Sequence, residues 1–225
     1  MRFSIEGRPA YSILKVWLER GESITAEPGA FVFHRGEVEV STGTQGVLSA
    51  VARRIAGGES LFLNTFKARS GVAEVWVAPS TPGDIAVIEL SGAVYIKDEC
   101  YLAHAGDVKL TAGWRGLTGL IAEGELVWLK AEGRGQVFVN TYGSLEVMEL
   151  GPGEKATVDN GHLVAMDPAV KWKVGLLGGV KTQAFGGEGL VLNLEGPGRI
   201  WIQTRTLPLF ARLIAKHVGK LVKKK

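Results

Sequence analysis

An all-β chain of three tandem units is what the 225 residues predict, with an amphipathic helix appended at the C-terminus. Three observations carry that reading. A short motif recurs, as GGESLFLN at 57–64, EGELVWLK at 123–130 and GGEGLVLN at 186–193. Apolar and polar residues alternate over much of the chain, the period of a strand that hides one face. The 31 glycines, well above the usual share of about 7%, stand mostly between these runs, where tight turns need them. Packed or rolled-up sheets satisfy such strands, and three units closing around a pseudo-threefold axis would leave no exposed strand edge.

The elements follow in order. With the acid of the motif as anchor, Glu59, Glu125 and Glu188 recur at intervals of 66 and 63 residues. Each precedes an alternating run, Leu61-Phe62-Leu63, Val127-Trp128-Leu129 and Leu190-Val191-Leu192. Glycine and a second alternating run come next (VAEVWV, GRGQVFVN, GPGRIWIQ), which predicts a β-hairpin in each unit. A second element repeats without gaps at offsets of 70 and 62: ITAEPGAFVFHRGEV at 24–38, VYIKDECYLAHAGDV at 94–108 and ATVDNGHLVAMDPAV at 156–170. Apolar residues hold its slots (Ala26, Ile96, Val158; Phe31, Tyr101, Leu163; Val38, Val108, Val170), and turn formers fill the gap between them. One domain over 1–205 therefore holds units at about 1–80, 81–143 and 144–205, none able to bury its apolar face alone. Two helices are predicted: a weak one at 47–55, and a stronger one over 207–222 with Leu207, Phe210, Ala211, Ile214, Val218, Leu221 and Val222 on one stripe. Thr206 is its predicted N-cap and Pro208 sits in its first turn. Residues 206–225 are thus a basic helix and tail.

Bulk properties narrow the function classes. A 46% hydrophobic content and a mean hydropathy of +0.13 give a substantial core and exclude general disorder. A single cysteine, Cys100, rules out an internal disulfide framework and a Cys-rich zinc site. No run reaches the eighteen or so apolar residues of a membrane span, and the N-terminus lacks a signal-peptide pattern, so the expected location is cytoplasmic. The net charge of +3 is uneven: residues 204–225 carry seven basic side chains and no acid, among them Arg212, Lys216, Lys220, Lys223, Lys224 and Lys225. Setting those seven aside leaves 19 basic residues against 23 acidic ones, a body of −4. A broad nucleic-acid face on the body is therefore disfavoured.

The runs GESITAEPGA, GGESLFLNTF and AFGGEGLVLNLEGPGRIWIQTR, with VDNGHLVAMD at 158–167, resemble the widespread uncharacterised family that includes the eukaryotic altered-inheritance-of-mitochondria protein. The resemblance spans essentially residues 1 to 205. It implies a fold similar to the tryptophan RNA-binding attenuation protein, three short variants of the double-stranded β-helix per chain, and association into trimers. The mitochondrial member is linked to inner-membrane organisation. The basic tail is the least family-like part.

No convergent catalytic chemistry is legible, so no catalytic residue, metal ligand or cofactor is expected. There is no His-x-His; His34 and His104 occupy equivalent positions, but the third unit has Met166 there. No nucleophile elbow occurs, Cys100 has no recognisable partner, and the glycine pairs lack the lysine and helix start of a phosphate cradle. Glu59, Glu125, Glu188, Asn64 and Asn193 are candidate interface or axis residues, the acids being read first as acceptors within their own turns. Three function readings stay open: a non-enzymatic homo-oligomeric scaffold, a small-ligand or RNA-binding module, and peripheral attachment to an anionic surface or protein partner through the tail. For the tail itself, docking of its stripe on the β body is the first expectation.

Overall fold

The structure, a computed structural model, describes residues 1–43, 62–115, 127–178 and 190–222. Strand follows strand, as the alternation predicts, and among the described residues the α-helix lies at the C-terminus. The predicted helix at 47–55 and the acids Glu59, Glu125 and Glu188 lie outside the described residues. Strands β1 (Arg2–Glu6), β2 (Ile13–Glu19), β3 (Ser23–Ala26), β4 (Phe31–Arg35), β5 (Val38–Gly43), β6 (Leu63–Ala68) and β7 (Val72–Val77) come first. The middle of the chain forms three long strands, β8 (Ile85–Lys97), β9 (Tyr101–Arg115) and β10 (Val127–Asn140). Then come β11 (Leu145–Leu150), β12 (Lys155–Asp159), β13 (Leu163–Met166), β14 (Lys171–Leu176), β15 (Leu190–Glu195), β16 (Gly198–Gln203) and helix α1 (Leu207–Val222).

These strands make three sheets. The largest has nine strands in the order β11-β16-β13-β8-β10-β9-β3-β6-β5, flanked by a four-stranded sheet β1-β2-β7-β4 and a three-stranded sheet β12-β15-β14. The predicted hairpins are not hairpins. β6 lies between β3 and β5, whereas β7, only three residues on, lies between β2 and β4 in another sheet. β15 and β16 part in the same way, β15 between β12 and β14, β16 between β11 and β13. In the middle a single strand, β10, runs straight through the glycine pair and is bordered by β8 and β9 along its length. A short glycine link between two alternating runs serves a corner as well as a hairpin, because alternation encodes which face is buried and not which strand is the partner.

Two glycines in that corner are dictated by contact. Gly133 has φ 128°, and a Cβ on it would stand 2.0 Å from the Asp107 carbonyl oxygen of β9. Gly135 would meet the Ala105 carbonyl oxygen at 2.1 Å. The strands pack so closely there that only hydrogen fits.

The core is built from three clusters that interlock along the chain. Leu14, Val16, Leu18, Ile24, Phe66 and Val75 of the first stretch receive Ile85, Leu102 and Phe138 from the next. The central cluster takes in Leu63 from one side and Val164 and Trp201 from the other. Trp128, fully buried, completes the last cluster with Leu150, Leu163, Leu192 and Ile200. Burying a side chain of this size stabilises by roughly 1.5–3 kcal/mol, so each stretch depends on its neighbour for a good part of its core.

Candidate functional site

Two features stand out on the described surface: a groove where α1 meets the strands, and a bare strand edge at β4.

The groove of about 650 Å³ is lined mainly by apolar surface. Its floor is where the segments entering β2, β8 and β11 come together, Tyr11 bridging Gly83 and Gly83 bridging Gly143. A hydrogen-bonded knot holds them. Asp84, 3% exposed, accepts from Arg8 Nε and Nη2 at 2.8 Å each, from Ser12 Oγ at 2.9 Å and from the Ile85 N–H at 2.8 Å. Burial works against the charged form, but the hydrogen bonds from Arg8, Ser12 and Ile85, with the guanidinium charge, outweigh it and hold the carboxyl below its ordinary value. The buried Thr141 hydroxyl accepts from the Asp84 N–H at 3.1 Å and donates to the Gly143 carbonyl at 2.8 Å. On the other wall, Gln203 accepts from the Tyr142 N–H at 2.9 Å and donates to the Gly161 carbonyl at 2.8 Å.

Helix α1 rises from this groove. The Thr206 carbonyl accepts from the Phe210 N–H at 3.2 Å, which puts Thr206 at the N-cap position as predicted. Phe210 tilts against Tyr142 with ring centroids 5.8 Å apart, and Leu209 and Leu213 also line the groove. Contact goes no further: Leu207 and Phe210 are themselves 50% and 45% exposed, and Ile214 and Val218 47% and 50%, so the apolar stripe stays half exposed along its described length, contrary to the expectation that it packs on the body. Arg212 and Lys216 stand on exposed stretches of the helix; Lys220, Lys223, Lys224 and Lys225 have side chains outside the described residues.

The other candidates are dispersed. His34 lies on β4 and is exposed; His104 is buried on β9, where Nδ1 meets the Tyr101 hydroxyl at 2.7 Å, and burial pushes it down to about 4. Met166 is buried on β13. Among the described residues no group of three or more His, Cys, Asp and Glu side chains is placed to hold a metal. Cys100 is buried, and desolvation drives its thiol well above the ordinary range, the reverse of an activated nucleophile. Asn64 and Asn193 do share a role: each accepts from a cross-strand threonine, Thr42 at 2.8 Å and Thr157 at 3.0 Å. Near the turn after β3, burial raises Glu27 to about 8.

The β4 edge is invisible to sequence reasoning, since Phe31-Val32-Phe33 reads as core. Instead these residues are 44%, 50% and 38% exposed, and among the described residues β4 pairs only on its β7 side. Val32 forms a bulge, with Phe31 opposite Val77 and Phe33 opposite Trp76. The same irregularity occurs at Leu102, between Tyr101↔Val139 and Ala103↔Phe138, and at Val164, between Leu163↔Ile202 and Ala165↔Trp201. Leu102 and Val164 are wholly buried.

A family model described as mitochondrial biogenesis AIM24 matches residues 3–205. The chain belongs to that family. An uncharacterised protein of Streptococcus pyogenes serotype M6 is 28% identical over 228 residues, 97% of this chain and 91% of that protein. A protein from Streptococcus pyogenes solved by X-ray crystallography superposes with a TM-score of 0.79 at 29% identity, over 96% of this chain and 99% of that one. The AIM24 match ends at residue 205, just before α1.

Proposed function

We propose that this AIM24-family chain is a non-enzymatic, cytoplasmic, homo-oligomeric β scaffold built from three short double-stranded β-helix units and associating into trimers. What supports the three units is the recurrence of one pairing scheme at the offsets read from sequence. In each unit one strand is flanked by two others in one layer (β7 by β2 and β4; the second half of β10 by the first halves of β8 and β9; β16 by β11 and β13). Its partner layer repeats likewise, with β6, the first half of β10, and β15 at the centre. The bulges at Val32, Leu102 and Val164 fall at offsets of 70 and 62.

The observation that carries oligomerisation is the exposure of Val32 where Leu102 and Val164 are fully covered. An apolar strand edge left bare is an assembly or aggregation site. Light scattering after size exclusion tests this: a stable, concentration-independent oligomer is expected, and a strict monomer at micromolar concentration refutes it.

A second reading is favoured by α1. Its half-exposed apolar stripe and basic side chains, with no acid from residue 204 onward, suit attachment to an anionic bilayer surface. No helix among the described residues is long and apolar enough to cross a membrane. Flotation with vesicles containing phosphatidylserine is expected for the full chain and lost on deletion of residues 206–225; unchanged flotation after deletion refutes it.

A further inference from the structure

We propose that β12 of one copy pairs antiparallel with β4 of a second copy, with Thr157 opposite His34 and Val158 opposite Phe33. The proposal rests on the homo-oligomer reading and supplies its interface. The chain itself shows how this kind of edge is covered. In the first internal joint β3 lies against β9, with Thr25 opposite His104 and Ala26 opposite Ala103. In the second, β8 lies against β13, with Tyr95 opposite Met166 and Ile96 opposite Ala165. Advancing the first joint by 70 residues on the β3 side and 62 on the β9 side gives the second, residue for residue. One more step along the same repeat puts Thr157 and Val158 of β12 against His34 and Phe33 of β4.

Both halves of that third joint are present, and neither is used among the described residues. β4 ends the four-stranded sheet and β12 ends the three-stranded sheet. Those are the two sheets left outside the nine-stranded one, which the two internal joints hold together. Covering has a clear signature. Tyr101, Leu102 and Ala103 are at most 1% exposed and Leu163, Val164 and Ala165 are at 0%, against 44%, 50% and 38% for Phe31, Val32 and Phe33. The β12 side shows the same contrast: Ile24 and Val94 are at most 1% exposed beside the internal joints, while Ala156, at the matching position, is partly exposed. A joint between different surfaces of two copies is head-to-tail, and repetition gives a ring when the rotation from copy to copy closes.

Chains with one introduced cysteine test it directly, because buried Cys100 leaves no competing surface thiol. One chain carries His34→Cys and the other Thr157→Cys; a second set carries Phe33→Cys and Val158→Cys. Adjacent antiparallel pairs alternate between wide and narrow spacing, so one of the two sets falls at the narrow spacing that suits a disulfide. On mild oxidation each mixture is expected to give a covalent dimer in at least one set, and each chain alone none. Placing both cysteines in one chain is expected to give a covalent ladder ending in a closed ring.

Cross-linking by His34→Cys alone overturns the proposal, since it indicates a two-fold contact of β4 with itself. An intramolecular disulfide in the double variant overturns it too, since the chain then closes on itself. So does equal cross-linking when Val147→Cys on the edge strand β11 replaces His34→Cys. No cross-link in either set from protein that light scattering shows to be oligomeric removes this joint and leaves the scaffold reading intact. A monomer by light scattering removes both.

Discussion

Gly92 and Gly133 face each other across β8 and β10 and share a backbone conformation, φ 131° and 128°, yet they differ in one respect. A Cβ on Gly92 meets nothing within 4 Å, whereas one on Gly133 stands 2.0 Å from the Asp107 carbonyl oxygen. Alanine at each position therefore separates two costs. Gly92→Ala carries only the cost of placing an L-residue at positive φ, about 1–2 kcal/mol. Gly133→Ala carries the same cost plus a displacement of β9 backbone, a further 1–3 kcal/mol or so, for a total of about 2–5 kcal/mol. The difference of about 2 kcal/mol corresponds to roughly 4–8 °C in Tm for a domain of this size. Urea denaturation of both variants at one fixed protein concentration reads it, with the m-value checked for constancy. If the two unfold within about 0.5 kcal/mol of each other, the close approach of β9 is not what keeps Gly133 a glycine.

Two more outcomes follow from buried charge. Glu27 is raised from 4.5 to about 8, so the folded chain holds that proton more tightly than the unfolded one and stability falls as pH rises through this window. Glu27→Gln is expected to flatten the slope of unfolding free energy between pH 5 and 8, taken as about the span of the shift, and to be the more stable protein above it; an unchanged slope refutes the assignment. Asp84 is displaced the other way, so its contribution is intact at neutral pH and is lost as pH falls below the unfolded value of about 3.9. Because Arg8 is half exposed and keeps some water, Asp84→Asn is expected to cost about 1–3 kcal/mol at pH 7, less than for a fully buried pair, and to show a weaker acid transition by thermal scan.

Much of the strand pattern was legible, and much of the pairing was not. Alternation locates β7, β15 and β16 because it reports which side chains are hidden, but the run Leu61-Phe62-Leu63 meets β6 only at its first residue; the repeated slots at Phe31, Tyr101 and Leu163 fall at the starts of β4, β9 and β13. The C-terminal helix and its cap at Thr206 were read from local chemistry alone, and local chemistry is what fixes a helix start. Pairing is different. Nothing within VAEVWV says that its neighbour is β2 and not the run before it, so a corner looks the same as a hairpin in sequence. The β4 edge was missed for a related reason: FVF has the composition of a core strand, and only the arrangement of three units shows that its cover is not supplied by its own chain. The knot at Asp84 joins residues 8, 12 and 84, a separation with no local signature.

The three links between layers also differ in what they would tolerate. Ser70 and Gly71, between β6 and β7, are exposed, and Gly71 has open space around it. A peptide tag spliced there lengthens a connection that no ladder crosses. Arg134 occupies the matching place in the middle of the chain, but it is held in register with Ser91 on one side and Asp107 on the other. A tag there would throw both neighbouring ladders out of step. The first link is thus a natural port for a fluorophore or affinity handle, and the continuous strand β10 makes the centre of the molecule its least editable part.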